Sequence, residues 1–278
     1  MFRLINPREH FLALREMVAL LTRHRQLTWE MTKREISDRY AGQVFGTLWA
    51  VGHPLILMGI YVFVFCFVFR MQMGGTKEFP FDYAVYLFSG LIPWMTIQDA
   101  MAKSSTVIIG HANLVKQVVF PIDVLPVKTV IASFITQFIS CSLLLVYIFT
   151  RYHYLHWTCL LLPLLFVIQA FFMIGVAYVL AAVGVYFRDA KDFVQVFCVG
   201  GMYIMPIFYL PTSVPAIFKP VLYLNPFSYI IWCFQDVLYF GRFAHPWAWA
   251  VFLILSVLIF SGGYRLFRRL KVMFGNVL

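Results

Sequence analysis

The sequence predicts an all-α integral membrane protein, and three features of the 278-residue chain support this prediction. Hydrophobic residues make up 62% of the chain and charged residues 12%, against about 25% charged residues in an average soluble domain. The apolar residues form segments long enough to cross a bilayer as helices, and Lys and Arg concentrate in certain connections between these segments. A soluble fold of this length has too little interior to bury so much apolar surface.

Five segments are long enough to be transmembrane helices. A hydrocarbon core of about 30 Å requires about 20 residues, because each helical residue rises about 1.5 Å. The five segments are 49–69, 83–102, 129–149, 159–186 and 246–264. We expect each of them to cross the membrane once.

The region between residues 194 and 240 is less regular, because prolines separate its apolar parts, 194–210 and 221–240. Proline removes a backbone donor and is costly in lipid-exposed helices. Positive charge concentrates on the cytoplasmic side, and only a single crossing here keeps the C-terminal sequence YRLFRRLK on the same side as the basic N-terminal region. The sequence therefore predicts six spans with both termini in the cytoplasm, and a hairpin at 221–240 that re-enters from the outer face.

The chain is predicted to be one membrane domain over residues 1–278. Within it, 1–48 form cytoplasmic amphipathic helices, 49–264 the six-span region and 265–278 a basic cytoplasmic tail. The N-terminal sequence has charges at nearly every turn, unlike a cleavable signal, so we expect it to stay in the cytoplasm.

Two amphipathic helices are predicted before the first span. The apolar stripe of the first contains Phe11, Leu14, Val18 and Leu21. On the second, the functional candidates are Trp29, Arg34, Ile36 and Tyr40, of which the three apolar residues fall on one side of the helix. Such helices lie on the membrane surface or pack on the ends of the spans, and periodicity leaves both alternatives open.

The sequence NLVKQVVFPIDVLP, residues 113–126, interrupts the apolar spans with a polar segment. Leu114 is apolar, Lys116 and Gln117 are polar, and Pro121 is expected to end a helix of about two turns. A rigid helix held between two spans could act as a lever that moves both spans together. The alternative is an ordinary interfacial helix in a loop.

Several functional classes lack their residues in this chain. There is no G-x-x-x-x-G-K-[ST] motif, and GGTK at 74–77 has the wrong spacing for a nucleotide site. The five cysteines lie singly in apolar segments, so metal binding is not predicted. The net charge of +10 comes from residues that flank the spans and not from one basic stripe, so nucleic acid is not a predicted partner.

Asp99 and Asp236 are the carboxylates within or beside apolar segments, where an ionisable group is a functional candidate because its desolvation is costly. A structural polar contact is the alternative for both. His53, next to Pro54, is interpreted as marking the interfacial start of the first span.

Aromatic residues suggest a path for a sugar polymer, because aromatic rings stack on the apolar faces of sugars. In the first span, Tyr61, Phe65 and Phe69 share one helical face. The other candidates for lining the path are Tyr203, Phe208 and Tyr209. Lipid-facing Phe and interfacial Tyr are common, so contact with lipid is the alternative.

Several segments together resemble the type-2 ABC exporter permeases for bacterial polysaccharides, the family that exports O-antigen, capsule and teichoic acid. The segments are NLVKQVVFPIDVLP, REISDRYAGQVFGTLWAVGHPLIL at 34–57, VYFRDAKDF at 185–193, LNPFSYIIWCFQDVL at 224–238 and the C-terminal YRLFRRLKVMFGNVL. They occur in the same order as in that family and cover nearly the whole chain. The resemblance is greatest to the O-antigen export permeases.

The resemblance implies six transmembrane helices, an N-terminal interface helix, a coupling helix and a re-entrant hairpin. It also implies two copies of this chain, two copies of a separate ATPase subunit that binds ATP and Mg²⁺, a lipid-linked glycan substrate, and a place in the bacterial inner membrane. The residues expected to contact the ATPase subunit are Asn113, Leu114, Lys116, Gln117, Phe120, Pro121, Asp123, Arg188 and Asp189. This chain is then a permease without its own cofactor and not an enzyme.

Two alternatives stay open at this point. One is a type-2 permease for a drug or a small lipid, which shares the general plan. The other is a membrane enzyme that acts on polyprenyl-linked sugars, which requires paired carboxylates or a basic diphosphate clamp. The scattered Asp99, Asp189, Asp192 and Asp236 do not obviously supply such a pair.

Overall fold

The computed structural model describes residues 15–16, 19, 22–70, 80–117 and 120–277. Every regular element in these residues is helical, which confirms the prediction of an all-α fold for this part of the chain. The first predicted amphipathic helix falls largely outside the described residues.

The helices are numbered here in chain order. They are α1 (Arg25–Tyr40), α2 (Trp49–Val62), α3 (Tyr83–Ser104), α4 (Val107–Gly110), α5 (Ala112–Gln117), α6 (Val124–Tyr152), α7 (Leu162–Tyr186), α8 (Ala190–Ile204), α9 (Lys219–Leu224), α10 (Pro226–Gln235), α11 (Pro246–Lys271) and α12 (Phe274–Val277). Helix α2 continues as a π-helix, Phe63–Val68, and α10 continues as a second one, Asp236–Phe240.

Among the described residues, four continuous helical segments are long and apolar enough to cross a bilayer. They are Gly46–Val68, Val124–Tyr152, Trp157–Tyr186 and Pro246–Lys271, and they coincide with four of the predicted spans. The last of them continues through the basic residues Arg268, Arg269 and Lys271, so the predicted tail starts inside a helix. The number of crossings, predicted as six, stays a prediction.

Helix α8 is shorter than the predicted apolar segment 194–210. It ends at Ile204, because Met205 is extended and precedes Pro206, a position where proline disfavours helical backbone. With 15 residues, α8 is about 22 Å long, below the about 30 Å of a bilayer core. The irregular segment that follows is attached to α3, since the Tyr83 hydroxyl donates to the Phe208 carbonyl oxygen at 2.7 Å.

Helix α3 is the central helix of the bundle, and most of its 22 side chains are buried. It packs against α6, α7, α8 and α10. Asp82 caps its first turn, with its carboxylate accepting the Val85 N–H at 3.1 Å. Because a capping side chain satisfies a donor that the helix itself leaves free, α3 begins at a fixed residue.

Helices α7 and α11 form the most extensive helix pair and touch through their backbones. A methyl group on Gly263 would lie 2.2 Å from the carbonyl oxygen of Gly175, and one on Gly175 would lie 2.5 Å from the backbone of Ile259. Small residues are favoured at such contacts in membranes, where packing rather than water exclusion holds helices together. The two glycines therefore set the distance between α7 and α11.

This contact predicts that the same substitution at two adjacent glycines has different effects on stability. Gly263→Ala should lower the free energy of unfolding by about 1–3 kcal/mol, because the added methyl forces α7 and α11 apart. Gly262→Ala is the matched control, since no atom lies within 4 Å of its added methyl. The measurement is equilibrium unfolding of the full chain in detergent micelles. Equal stability of the two variants would contradict the backbone contact.

Candidate functional site

Helix α1 contacts the bundle through a polar stripe. The candidate side chains named from the sequence are more exposed than the residues of this stripe. Thr28 and Thr32 are buried, and each hydroxyl donates to a backbone carbonyl one turn earlier. Trp29 is half exposed, and Ile36 and Tyr40 are partly buried. The sequence carries a signal for this stripe, because Thr28, Thr32, Glu35 and Arg39 follow helical steps of 4, 3 and 4 residues.

The first ionic cluster on this stripe joins α1 to α6. The Lys128 ammonium lies 2.8 Å from the Glu35 carboxylate and 3.1 Å from Nε2 of His111. Nδ1 of His111 lies 2.9 Å from the carbonyl oxygen of Val107, so a neutral ring with its proton on Nδ1 accepts from Lys128. The Lys128 side chain is only 4% exposed, which makes its pairing necessary.

The second cluster lies one helical turn further along α1 and surrounds Asp99. Its carboxylate accepts from Arg39 at 3.0 Å, from Lys103 at 2.9 Å and from the Ser133 hydroxyl at 2.7 Å. Arg39 comes from α1, Lys103 from α3 and Ser133 from α6, so one carboxylate connects three helices. Asp99 is therefore a structural hub, which is the alternative that the sequence left open.

The predicted coupling segment contains α5, which ends at Gln117. Residues 118–119 lie outside the described part of the chain, and the segment is described again from Phe120. Asn113, Leu114 and Lys116 are exposed, as contact with a partner requires. Phe120 and Pro121 are partly buried. A short helix lies at residues 112–117, inside the predicted segment, and Pro121 lies outside any helix; the two-turn coupling helix stays a prediction.

Asp123 fixes the end of this segment to two other helices. Its buried carboxylate forms an ion pair with Lys271 of α11, and its carbonyl oxygen accepts from the Tyr178 hydroxyl of α7 at 2.8 Å. The contact with Lys271 was not predicted from the sequence, because 148 residues separate the two side chains. The segment is therefore connected to the C-terminal helix as well as to its neighbours in sequence.

The exposed pair Arg188 and Asp189 lies at the same end of the bundle. Both follow the last turn of α7, where Gly184 packs directly on the backbone of Ser105, the residue after α3. Tyr178, one and a half turns before Gly184, contacts Asp123. The residues predicted to contact an ATPase subunit thus share one end of the molecule.

Most of the predicted path aromatics form one continuous group of rings. Phe65 stacks on Phe208 with ring centroids 5.0 Å apart, and Tyr203 stacks on Phe208 at 5.5 Å. Tyr61 and Phe69 contact Phe65 at 6.3 Å and 5.6 Å. Separately, the Tyr209 hydroxyl donates at the end of α8, with its oxygen 2.7 Å from the carbonyl of Ile204. Residues more than 130 positions apart are thereby brought together, although their role in a path stays a prediction.

Asp236, the other candidate carboxylate, is buried and fully engaged. It accepts from the His245 backbone N–H at 3.0 Å and from the Trp249 indole N–H at 3.1 Å, and Nδ1 of His245 lies 2.8 Å away. These contacts hold the turn after α10 against the start of α11. Asp236 therefore connects α10 to α11, as a structural polar contact would.

Comparison with known proteins gives one family and close agreement in length. Residues 26–239 match the model of the ABC-2 type transporter family. Two O-antigen export system permease proteins RfbA of Klebsiella pneumoniae are 27% and 25% identical, each over 89% of this chain and 93% of the relative. The protein of the same name from Myxococcus xanthus is 28% identical over 81% of this chain and 85% of its own.

Docking of α1 through Glu35 and Lys128 can be tested by exchanging the two charges. Glu35→Lys or Lys128→Glu alone should raise the rate of amide hydrogen exchange in α1 by at least about tenfold, because each leaves a poorly hydrated charge unpaired. The double reversal should restore most of the protection. Hydrogen–deuterium exchange over residues 25–40 is the measurement.

The exposed ion pair of Glu30 and Lys33, 2.9 Å apart on the same helix, provides the matched control. Reversing either charge of this solvated pair should leave the exchange nearly unchanged. If reversal at Glu35 and at Glu30 had the same effect, docking by the buried cluster would be wrong.

Proposed function

Because this chain belongs to the ABC-2 type transporter family, whose members are the membrane components of transporters driven by ABC ATPases, we propose that it exports a lipid-linked polysaccharide. The substrate is an O-antigen-like glycan, and the membrane is the inner membrane of a bacterium. The observation that carries this proposal is the similarity to three O-antigen export permeases over 81–89% of the chain.

The proposed topology has six crossings with both termini in the cytoplasm. Four crossings correspond to the long apolar helices, and α3 and the α8 region supply the other two. The segment of α10 and its π-helix, residues 226–240, enters from the outer face and returns. The concentration of Lys and Arg near α1, α5 and the end of α11 supports this orientation.

Two copies of the chain form the transporter with two ATPase subunits, which bind ATP and Mg²⁺. The sequence has no nucleotide-binding motif of its own, so this chain is a permease subunit and not an enzyme. The residues that contact the ATPase subunit are Asn113, Leu114, Lys116, Gln117, Phe120, Pro121, Asp123, Arg188 and Asp189. Their position at one end of the bundle supports a shared contact surface.

Force on the coupling segment reaches several helices at once. Asp123 is tied to α7 and α11, and His111, immediately before α5, contacts Lys128 of α6. Glu35 carries the connection to the interface helix, whose other contact candidates are Trp29, Arg34, Ile36 and Tyr40. A displacement of α5 therefore moves α1, α6 and α11 together, which a two-state export cycle requires.

The glycan moves along aromatic side chains between the two copies. Tyr61, Phe65 and Phe69 of α2, together with Tyr203, Phe208 and Tyr209, line this path. The stacked group that they form supports the assignment, because rings in contact offer a continuous surface to the apolar faces of sugars. Export without a single deep binding site follows from such a surface.

Depletion of the chain in its own bacterium tests the proposed export. Lipid-linked glycan should accumulate at the cytoplasmic face, while the polymer on the cell surface disappears. Radiolabelled lipid-linked sugars and surface staining measure the two quantities, and the wild-type chain supplied in trans should restore both. Normal surface polymer after depletion would exclude this function.

The coupling role of α5 predicts a specific defect. Lys116→Glu combined with Phe120→Ala should reduce export by about 5–150-fold, the range of a coupling free energy of about 1–3 kcal/mol. ATP hydrolysis by the purified complex should continue, and the unfolding temperature should not change. The control variant Phe218→Ala with Lys219→Glu makes the same exchanges at the start of α9, at the opposite end of the proposed topology, and should export normally. Coupled export in the α5 variant would exclude the lever role.

A further inference from the structure

A cavity of about 600 Å³ lies between α1, α2, α3 and α6. This volume is within the about 300–1,000 Å³ of small-molecule sites in proteins. Helix α2 forms one side, and Pro54 is its only buried residue among those described. The cavity thus lies beside a helix that the rest of the described chain hardly covers.

Most of the cavity wall is apolar. Leu57 and Met58 of α2 line one side, and Phe88, Leu91 and Met95 of α3 line another. A wall of this kind favours a hydrocarbon chain, because burial of apolar surface is the main source of affinity. The apolar wall by itself gives no preference for a charged ligand.

The end of the cavity nearest α1 is polar. Arg39, Gln43, Asp99 and Ser133 line it. Asp99 is eleven positions after Phe88 on α3, which is about 16 Å along the helix axis, so the polar and apolar parts lie at opposite ends. The cavity lining thus has the polarity of an amphiphile.

The polar end carries an excess of positive charge. Arg39 and Lys103 share the single carboxylate of Asp99. Arg39 uses its terminal nitrogens for Asp99 and Thr136, while its Nε atom is buried and has no hydrogen-bond partner in the described part of the chain. An anion at this end would neutralise the excess charge, which is otherwise costly in poorly hydrated surroundings.

We propose that this cavity binds a phosphate-bearing lipid, with one hydrocarbon chain along α2 and α3 and the phosphate at Arg39. A neutral apolar ligand would leave the excess positive charge of Arg39 and Lys103 uncompensated, and a free phosphate would leave the apolar wall uncovered. An anionic lipid satisfies both ends. Phospholipids of the bilayer and the lipid carrier of a glycan share this chemistry, so the inference stands without the proposed function.

Retention of added lipids by the delipidated full-length chain, measured by native mass spectrometry, tests the inference. The ligands are phosphatidylglycerol, a polyprenyl pyrophosphate, diacylglycerol with the chains of the phosphatidylglycerol, and inorganic pyrophosphate. At least one of the two phosphate-bearing lipids should be retained about tenfold better than diacylglycerol and pyrophosphate, since a hydrogen bond to a charged group contributes about 1.5–3 kcal/mol. If only phosphatidylglycerol is retained, the ligand is a bilayer lipid. If only polyprenyl pyrophosphate is retained, the ligand is the lipid carrier of a glycan.

Two variants locate the retained lipid. Arg39→Gln removes the charge at the polar end, and Met95→Trp, one helical turn before Asp99, fills the adjoining part of the cavity. Each should reduce retention by about tenfold. Arg34→Gln, with a side chain 84% exposed on the same helix, and Leu164→Trp, on the exposed side of α7, are the matched controls and should retain the lipid as the wild type does.

Thermal unfolding of each variant shows whether it is folded. If Arg39→Gln does not fold, retention by Met95→Trp decides whether the cavity binds the lipid. The inference would be overturned if diacylglycerol and both phosphate-bearing lipids were retained equally. It would also be overturned if neither phosphate-bearing lipid was retained. Wild-type retention by folded Met95→Trp would also overturn it, because the chain would then lie elsewhere.

Discussion

The arrangement of this bundle depends on how it pairs its few charges. Charged residues are 12% of the chain, and several of them lie where helices meet in surroundings that are otherwise apolar. Lys128 and Asp99 each occupy such a position, and each is paired with a residue of α1, Glu35 for Lys128 and Arg39 for Asp99. Because an unpaired charge at such a position costs several kcal/mol, about 3–5 when one partner of a buried pair is removed, α1 has one favourable position on the bundle. The location of the interface helix, and of the segment beside it, follows from these two clusters.

Away from the charged end, the helices are held by contacts that do not depend on water. The backbones of α7 and α11 meet at Gly175 and Gly263, and the amide of Gln137 donates to Gln169 across α6 and α7 at 2.8 Å. Lipid is as apolar as leucine, so close approach and interhelical hydrogen bonds replace the hydrophobic effect as the forces between helices. Helix α2 has few such contacts, since Pro54 is its only buried residue within the described part of the chain.

Asp99 and Asp236, the two carboxylates in apolar surroundings, each accept hydrogen bonds from three donors and join separate parts of the bundle. The end of the bundle offers a set of exposed residues on α5 and after α7, connected through Asp123 and His111 to four helices. A membrane component of an ABC-2 type transporter requires such connections, because its energy is supplied outside the chain. The charged cavity beside α2 adds a place where the surrounding lipid could act on the same helices.

The sequence by itself determined the fold class and the location of four apolar helices, because apolar length and charge act locally along the chain. It also determined the family, through short segments in a fixed order. Only the tertiary structure decided which side of α1 contacts the bundle, since Thr28, Thr32, Glu35 and Arg39 look like a solvated face until Lys128 and Asp99 are placed opposite them. The same holds for Asp123 with Lys271 and for Phe65 with Phe208. Pairings between residues this far apart depend on how the helices cross, and no local property of the chain specifies those crossings.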